Sequence, residues 1–395
     1  CVEPEPVPPS EDELGYWNGT VATSFENGTG SEEDPYIISK GSELAFAIAS
    51  SVEGAHYKLS NDIYLNDISS SNWASNSSNN EWLSVKNFKG HLDGDGHVVY
   101  GIWYPENNTD YTVGLIPVLQ SPGSVKNVGV CNSVIVGELA GAIVGMSRGN
   151  TLKTISGCFS EESVTVKGSN NASGILGYAG CSTKGAEVTI SIDNCYTEAT
   201  ITARTAANAN GIIGTSWLTA YAIENCYSIG SRPYNVADPG HKTTAAWDYN
   251  GGAYRDGLTI GDFVKQVYTN TGTPNDSKVW TLFTNTSEMQ GTNAKTTLVG
   301  FDFAKVWTTT NSFPALRIFN KNPLPEPPTE EELGYWNGMV AASFEKGTGS
   351  EADPYVISKG SELALAIAAS VEGTYYKLSN DIYLNDVSNS DWATN

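Results

Sequence analysis

The sequence predicts an all-β fold: a parallel β-helix with a short N-terminal capping helix, repeated in tandem along the chain. Three observations support this. The 395 residues include 40 glycines, 20 tyrosines and 10 tryptophans, a composition that suits turns and strands better than a helical bundle. A glycine-and-cysteine pattern recurs every 27 to 37 residues, a period typical of stacked supersecondary units. The opening of the chain also occurs a second time.

The short repeat lies between about residues 110 and 230. Each instance begins with a small residue and a glycine before two apolar residues, and a cysteine followed by a polar or aromatic residue comes later. The glycines are Gly114, Gly141, Gly174 and Gly211. One repeat alone cannot bury its apolar side, whereas stacked repeats bury a continuous column. We therefore expect coils whose glycines lie at tight turns or where the next coil approaches closely.

Local patterns predict short strands and one clear helix. The β-rich stretches, separated by Gly, Asn and Ser turns, are Ser124–Val130, Ser163–Val166 and Val188–Ile192. The helix is predicted over 42–52, with Ser42 as its N-cap and Gly54 beyond its end. Leu44, Ile48 and Val52 recur every four residues, so they should cover the open end of the β-column.

A much longer duplication sets the domain organisation. Residues 11–76 and 330–395 align without a gap at an offset of 319, and 52 of the 66 aligned residues are identical. Both copies follow proline-rich stretches, which we expect to be stiff and extended. The predicted order is a tether at 1–10, a first unit at 11–319, a linker at 320–329 and the start of a second copy at 330–395. Within the first unit we expect the capping helix at 42–52, coils at 110–230 and a closing segment at 256–319. Either the natural protein is a longer tandem array, or the second copy has a capping or joining role.

The coil pattern resembles a known group of proteins. The units, G-[IL]-[IV]-G followed by N-C-[YF]-[ST], are similar to the GLUG-motif repeats of bacterial surface adhesins and of the β-helical region of IgA-peptidase-like proteins. Asp34-Pro35-Tyr36 near the start and Phe313-Pro314-Ala315 near the end also fit, so the resemblance covers nearly the whole unit. It implies a right-handed parallel β-helix at the cell surface, and it does not imply a reaction. Pro117 replaces an expected glycine, and residues 233–262 fit no coil well.

The charge excludes two classes of partner. The chain has 22 Lys and Arg against 44 Asp and Glu, a net charge of −22. Nucleic acids and anionic membranes require a basic face, so neither is expected. No run of 18 or more apolar residues occurs, so no transmembrane segment is predicted. Cys1 before an acidic, proline-rich stretch resembles the mature start of a bacterial lipoprotein; the alternatives are a lipid on Cys1 or a boundary that merely begins with cysteine.

The sequence Asp-Gly-Asp-Gly-His at 93–97 is the candidate metal or acid–base site. Carboxylates two residues apart lie on the same side of an extended chain, so Asp93 and Asp95 could share Ca²⁺ with backbone carbonyls. The alternative is an Asp-Gly turn at a corner of a coil, with no ion. Ca²⁺ is the one cofactor that the sequence suggests.

The repeated cysteines predict a buried ladder. Cys131, Cys158, Cys195 and Cys226 recur at similar places in the repeats, so in a β-helix they would stack about 4.8 Å apart. Stacked side chains point the same way, which is poor geometry for a disulfide. We therefore expect free, buried thiols, with a Cys158–Cys181 disulfide as the alternative in an oxidising compartment.

Enzyme signatures are not recognised. No H-E-x-x-H, P-loop or dinucleotide fingerprint occurs, and no nucleophile elbow is predicted. The peptidase part of the IgA-peptidase-like proteins is therefore not expected here. Polysaccharide-degrading β-helices require a basic side chain or a carboxylate pair on one face, whereas the five arginines are scattered. No catalytic residue is predicted, and we expect the chain not to be an enzyme.

Tyr16 and Trp17, repeated as Tyr335 and Trp336, are the remaining functional candidates. They lie close to the proline-rich stretches. Three interpretations stay open: docking of one unit onto the next, packing of Trp17 onto its own unit, and stacking on sugars.

These observations predict a non-enzymatic, extracellular structural or adhesive protein that forms a rod, stalk or filament at the cell surface, with Cys1 as a candidate lipid anchor. Its expected partners are other copies of the repeat unit, and surface glycans are a further candidate. The alternatives are a carbohydrate-binding adhesin and a β-helix polysaccharide-degrading enzyme. The charge of −22 disfavours polyanionic substrates for such an enzyme.

Overall fold

The computed structural model describes residues 10–180, 188–204, 208–217, 220–229, 264–269, 280–282, 286–319, 334–336 and 338–385. The chain divides into two compact units, Cys1–Pro323 and Leu324–Asn395, and each is described by itself. Cys1, Cys181, the predicted linker at 320–329 and the stretch 233–262 lie outside the described residues.

The described helices are few and short. They are α1 Glu11–Leu14, α2 Gly41–Ala49 and α3 Asn293–Thr297 in the first unit and α4 Gly360–Ala368 in the second, with 3-10 turns at Trp73–Ser75 and Thr286–Met289.

Strands are the main regular structure of the described first unit. Up to the third coil they are β1 Tyr36–Ile38, β2 His56–Leu59, β3 Ile63–Tyr64, β4 Asn87–Phe88, β5 His91–Tyr100, β6 Thr112–Val113, β7 Ile116–Gln120, β8 Ser124–Cys131, β9 Val134–Gly141 and β10 Val144–Arg148. The next are β11 Lys153–Ser156, β12 Phe159–Ser160, β13 Thr165–Ser173, β14 Leu176–Gly180, β15 Val188–Asp193, β16 Tyr196–Thr197, β17 Thr200–Ala203, β18 Ala209–Asn210, β19 Ile213–Trp217 and β20 Ala220–Ser228. The last are β21 Val264–Thr269, β22 Trp280–Leu282, β23 Trp307–Thr308 and β24 Ala315–Leu316, and the second unit adds β25 Tyr355–Ile357 and β26 Tyr376–Leu378.

The chain visits three parallel sheets in turn. Sheet I contains β1, β2, β5, β8, β11, β15 and β20 in that order, with β3, β12, β16, β21 and β22 attached. Sheet II is β4–β7–β10–β14–β19, and sheet III is β6–β9–β13–β17 with β18 beside β13. Each coil runs from sheet I to sheet III and then to sheet II. The result is a parallel β-solenoid of about five turns, which confirms the predicted parallel β-helix. Only β23 and β24 pair antiparallel among the described strands.

Each sheet contributes a buried apolar ladder, because the register places like residues above one another. The ladder of sheet I is Leu92, Val125, Ile155, Ile192 and Ile223. The ladder of sheet II is Ile116, Val144, Leu176 and Ile213. None of these nine side chains is more than 1% exposed. At about 1.5–3 kcal/mol for each buried aliphatic side chain, the ladders contribute substantially to the stability of the fold.

The repeated glycines lie at the corner between sheets III and II, as predicted. Gly141 ends β9, and a Cβ there would lie 1.9 Å from the carbonyl oxygen of Val144 and 2.6 Å from the backbone nitrogen of Gly177 in the next coil. Since real Cβ atoms do not approach backbone this closely, only glycine allows the coils to stack here.

The N-C-[YF]-[ST] motif forms a second corner. Asn194 and Asn225 precede the cysteine with φ of +50° and +51°, a left-handed conformation that asparagine tolerates better than most residues. The cysteine then points into the core, and the following aromatic residue points to the opposite face. Each residue of the motif therefore has a separate structural role.

The cysteine ladder is shorter than predicted. Cys158, Cys195 and Cys226 follow one another in register, and each thiol is free and buried. The backbone N–H of Cys158 donates to Cys195 Sγ at 3.4 Å. Val128, not Cys131, occupies the rung below, because Phe159 pairs with Gly129. Including Cys131 in the ladder is therefore wrong, since it lies three residues further along its strand.

The capping helix α2 also differs from its prediction. It spans Gly41–Ala49. It begins after Lys40 because the Glu43 carboxylate accepts the backbone N–H groups of Ser39 (2.7 Å) and Lys40 (3.2 Å). The prediction of Ser42 as the N-cap is therefore wrong. Val52 lies beyond the helix and is 61% exposed.

Candidate functional site

Trp17 is part of the core of its own unit. Its side chain is 3% exposed, its indole N–H donates to the carbonyl oxygen of Thr20 at 2.6 Å, and its ring meets that of Trp82 edge-on, with centroids 5.0 Å apart. Gly41, at the start of α2, lies against the ring, because a Cβ there would be 2.6 Å from Trp17 Cβ. In the first unit, the Trp17 side chain therefore packs onto its own unit.

Tyr16 lines a cleft next to this core. The cleft, of about 330 Å³, lies between α1, the start of α2 and β3, and its walls include Tyr16, Lys40, Asp62 and Tyr64. The exposed Tyr64 ring stacks on Tyr100, with centroids 4.8 Å apart and an angle of 7° between the planes. We call this the N-terminal cleft. It combines aromatic faces with carboxylate and amide groups, which suits hydroxyl-rich ligands.

Lys40 and Asp62 in the N-terminal cleft each have polar partners. Lys40 Nζ lies 3.4 Å from Asp12 Oδ2, and this carboxylate raises the pKa of Lys40. Asp62 Oδ1 lies 3.2 Å from His97 Nδ1 and also accepts the backbone N–H of Val98 at 3.0 Å. These contacts hold Asp62 in place.

The second copy contains the same aromatic pair. Trp336 is half-buried and donates its indole N–H to the carbonyl oxygen of Met339 at 2.6 Å, as Trp17 does to Thr20. Tyr335 is also half-buried. Docking between units and sugar stacking stay predictions for these residues.

The two aspartates predicted as calcium ligands each form an ion pair with a lysine. Asp93 Oδ2 lies 3.1 Å from Lys126 Nζ, and Asp95 Oδ2 lies 2.9 Å from Lys58 Nζ. Asp93 Oδ1 accepts the backbone N–H of Asp95 at 3.0 Å and the Asn127 amide at 3.1 Å. The segment is a bulge within β5. No group of three or more metal-ligating side chains occurs within the described ranges.

We expect millimolar Ca²⁺ to change the Tm of the protein by less than about 1 °C, because an ion would have to displace both lysines. Thermal unfolding with calcium and with EDTA measures this. A rise in Tm that grows with calcium concentration and disappears in Asp93→Asn would contradict the expectation and support the calcium site.

The sequence contains one serine motif with the spacing of a nucleophile elbow, although no elbow was predicted. Residues 145–149, Gly-Met-Ser-Arg-Gly, match the G-x-S-x-G spelling of a nucleophile elbow. Ser147, however, lies in the middle of β10, is 0% exposed and has no hydrogen-bond partner for its hydroxyl among the described residues. An elbow requires an exposed serine on a turn between strand and helix, so this site lacks that geometry.

An aromatic ladder on the outer side of sheet I is the feature that sequence reasoning missed. The rings of Phe159, Tyr196 and Tyr227 stack with centroids 5.1 and 4.9 Å apart. The last described part of the closing segment, residues 286–319, covers them. Trp307 is 0% exposed there, lies 5.7 Å from the Tyr227 ring and donates its indole N–H to Asn194 Oδ1 at 3.1 Å. The aromatic position of the N-C-[YF]-[ST] motif was the available signal.

Glu198 lies at the edge of this aromatic ladder. Burial raises its pKa from the ordinary 4.5 to about 7, and the carboxylates of Glu162 and Glu161 add to the effect. The Tyr227 hydroxyl, 3.4 Å from Glu198 Oε1, offsets part of it and donates to the carbonyl oxygen of Pro314 at 2.6 Å. Glu198 is thus a partly protonated acid at neutral pH, next to the closing segment.

The contribution of Glu198 to stability should therefore fall as the pH rises. Above about pH 4.5 the unfolded chain loses the Glu198 proton that the folded protein retains up to about pH 7, so folding becomes less favourable across this window. We expect Glu198→Gln to raise the free energy of unfolding by about 2 kcal/mol near pH 8 and by almost nothing near pH 4.5. Urea unfolding at both pH values measures this. An equal gain at both would contradict the assignment.

Comparisons with known proteins find similarity to parts of this chain. No family model matches it. Halomucin of Haloquadratum walsbyi is 31% identical over 166 residues, which are 40% of this chain and 2% of halomucin. A provisionally named Gly-rich membrane protein of Evansella cellulosilytica is 30% identical over 134 residues, 33% of this chain and 15% of that protein. The chain therefore spans only a small part of these relatives.

Among solved structures, a provisionally named immunoglobulin A1 protease from Bacteroides ovatus is 15% identical, with a TM-score of 0.38 over 74% of this chain and 95% of that one. Within the part of the chain that the structure describes, no helix has the length and apolar character needed to cross a bilayer.

Proposed function

We propose that this chain is a non-enzymatic, extracellular structural repeat protein that builds a rod, stalk or filament at the cell surface. The observation that carries the proposal is the repetition of one module at two scales. The apolar ladders continue from coil to coil between Leu92 and Ile223 in sheet I and between Ile116 and Ile213 in sheet II. The cap that opens this solenoid is present again in the second unit, with Tyr355 paired to Tyr376 as Tyr36 is to Tyr57.

Two further observations support a surface location. Similarity to halomucin and to a Gly-rich membrane protein favours a protein of the cell exterior. The net charge of −22 favours a well-hydrated surface on which neighbouring rods repel one another.

Negative-stain electron microscopy of the full gene product tests this proposal. We expect elongated particles with a regular spacing that matches the 319-residue repeat, and immunogold labelling on the outside of intact cells. Compact globules, or labelling confined to the cell interior, would refute the structural role.

Binding of neutral carbohydrate is a second candidate function, favoured by the aromatic walls of the N-terminal cleft. Tyr16 and the exposed Tyr64 stand beside Asp62 in a cleft of about 330 Å³, a combination that sugar sites use. A glycan array with Tyr16→Ala and Tyr64→Ala tests it, and Tyr111→Ala is the matched control, since Tyr111 is 50% exposed and does not line the cleft. A blank array for the unmodified protein would dismiss adhesion through sugars while leaving the structural role untouched.

A further inference from the structure

The second copy of the capping module exposes an apolar face that the first copy buries. Three identical residues make the comparison direct. In the first unit they are Ile48, Leu59 and Leu65, all 0% exposed. In the second unit they are Ile367, Leu378 and Leu384, which are 74%, 60% and 44% exposed. We call these three residues the end face. Large exposed apolar patches generally mark sites of association.

The first unit shows what such a face receives. Residues 77–104, which we call the covering coil, lie across it. Strand β5 pairs in parallel with β2, so that Tyr57 stands beside Leu92, and the Phe88 ring lies 5.6 Å from the Tyr57 ring. The backbone N–H of Leu65 donates to the carbonyl oxygen of Tyr100 at 2.8 Å. The apolar face is thus covered by a coil of defined sequence and register.

Three polar side chains of the capping module hold the covering coil. Asp62 Oδ1 accepts the backbone N–H of Val98 at 3.0 Å. Asn66 donates to the carbonyl oxygen of Gly101 at 2.9 Å and accepts the backbone N–H of Asn80 at 2.7 Å. Ser51 Oγ accepts the backbone N–H of Lys89 at 2.9 Å. The second copy retains all three residues, as Asp381, Asn385 and Ser370.

The two substitutions at the start of the pairing strand, one at its first residue and one just before it, are compatible with the same coil. Thr374 replaces Ala55. The backbone carbonyl of Ala55 accepts the N–H of His91 at 2.8 Å, and any residue at this position supplies such a carbonyl. Tyr375 replaces His56, whose ring packs against the His91 ring with centroids 4.6 Å apart, and a tyrosine also offers a ring for this contact.

We propose that the end face is the docking site for a β-coil with the sequence pattern of residues 77–104, added by parallel pairing to Tyr376–Leu378. A second chain presenting its own end face would match apolar surface only and would leave Asp381 and Asn385 without the backbone partners that their first-unit equivalents hold. The inference goes beyond the proposed structural role, because it assigns the surface and the register through which a further solenoid coil is joined.

The test uses the full chain extended at Asn395 by a copy of residues 77–319. Because Asn395 aligns with Asn76, the extension continues the repeat in register. The readout is amide hydrogen exchange of Tyr376–Leu378, whose peptides differ in mass from those of the first copy. We expect the protection of these amides to rise about 100-fold, to the level of His56–Leu59, once the edge strand is paired and buried.

Two controls separate docking from mere extension. The same extension carrying Leu92→Asp and Val99→Asp should give no added protection. Asp381→Ala with Asn385→Ala in the extended chain should reduce the protection, whereas Glu351→Ala, an exposed change away from the end face, should not. Unchanged protection of Tyr376–Leu378 in the extended chain would overturn the proposal. So would strong protection in the unextended chain together with a dimer by analytical ultracentrifugation, since a second copy would then be the occupant. Globular particles in the electron microscope with a docked coil would refute the rod and leave this inference standing.

Discussion

Gly141→Ala is expected to destabilise the solenoid by about 4 kcal/mol or more, a large part of the stability of a typical domain. The new methyl group would lie 1.9 Å from the carbonyl oxygen of Val144 and 2.6 Å from the backbone nitrogen of Gly177. Relief requires the backbone of two adjacent coils to move apart. That movement strains the nearby bond from the Val144 N–H to the Ile175 carbonyl oxygen, now 2.9 Å long. Each buried backbone hydrogen bond lost adds about 1–3 kcal/mol to the cost.

Urea unfolding followed by circular dichroism measures the effect of Gly141→Ala. The matched control is Gly54→Ala, because Gly54 has a φ of +75° but no atom within 4 Å of a new Cβ. That change should cost only about 1 kcal/mol, from the left-handed backbone alone. Similar losses in the two variants would contradict the close stacking of coils at the glycine corner.

Trp307→Ala is expected to release the closing segment from the solenoid at a cost of about 3–5 kcal/mol. The side chain is 0% exposed and packs 4.7 Å from the Phe301 ring and 6.0 Å from the Tyr196 ring. Its removal leaves a cavity between the aromatic ladder and the closing segment, and it leaves Asn194 Oδ1 without the indole N–H. The ladders of the solenoid core do not involve Trp307, so the coils should stay folded.

Limited proteolysis and hydrogen exchange distinguish release of the closing segment from global unfolding. We expect residues 286–319 to become sensitive to protease in Trp307→Ala, while the amides of β8, β11 and β15 stay protected from hydrogen exchange. Trp307→Phe keeps a ring in place but loses the hydrogen bond to Asn194, so it should cost only about 1–2 kcal/mol. If residues 286–319 resist proteolysis in Trp307→Ala as strongly as in the unmodified protein, contacts other than Trp307 hold the closing segment.

The sequence predicted the coils well, because their pattern is local. The glycine corners and the strands β8 and β15 lie where the sequence predicts them, whereas β13 spans Thr165–Ser173 and overlaps the predicted Ser163–Val166 only at its start. It predicted the cysteine ladder less well, since counting from glycine to cysteine ignores differences in coil length. Cys131 lies 17 residues after its glycine, as Cys158 does, yet only the hydrogen-bond register shows that Val128 is the residue beneath Cys158.

Candidate site residues were harder to assign from sequence. Asp93 and Asp95 look like metal ligands in isolation, but Lys58 and Lys126 from neighbouring coils pair with them. For Trp17 the sequence left docking, packing onto its own unit and sugar stacking open, and the structure places its ring against Trp82. In both cases the partner comes from another coil and is more than 30 residues away in sequence.

The sequence by itself determined the parallel β-helix architecture and the 319-residue duplication. Both are periodic features, and a period can be read without knowing which residues touch. Only the tertiary structure decided the register of the coils and the burial of the aromatic ladder beneath the closing segment. These depend on pairs such as Asn194 and Trp307, 113 residues apart. Their contact is fixed by how the coils stack and is not encoded in any local pattern.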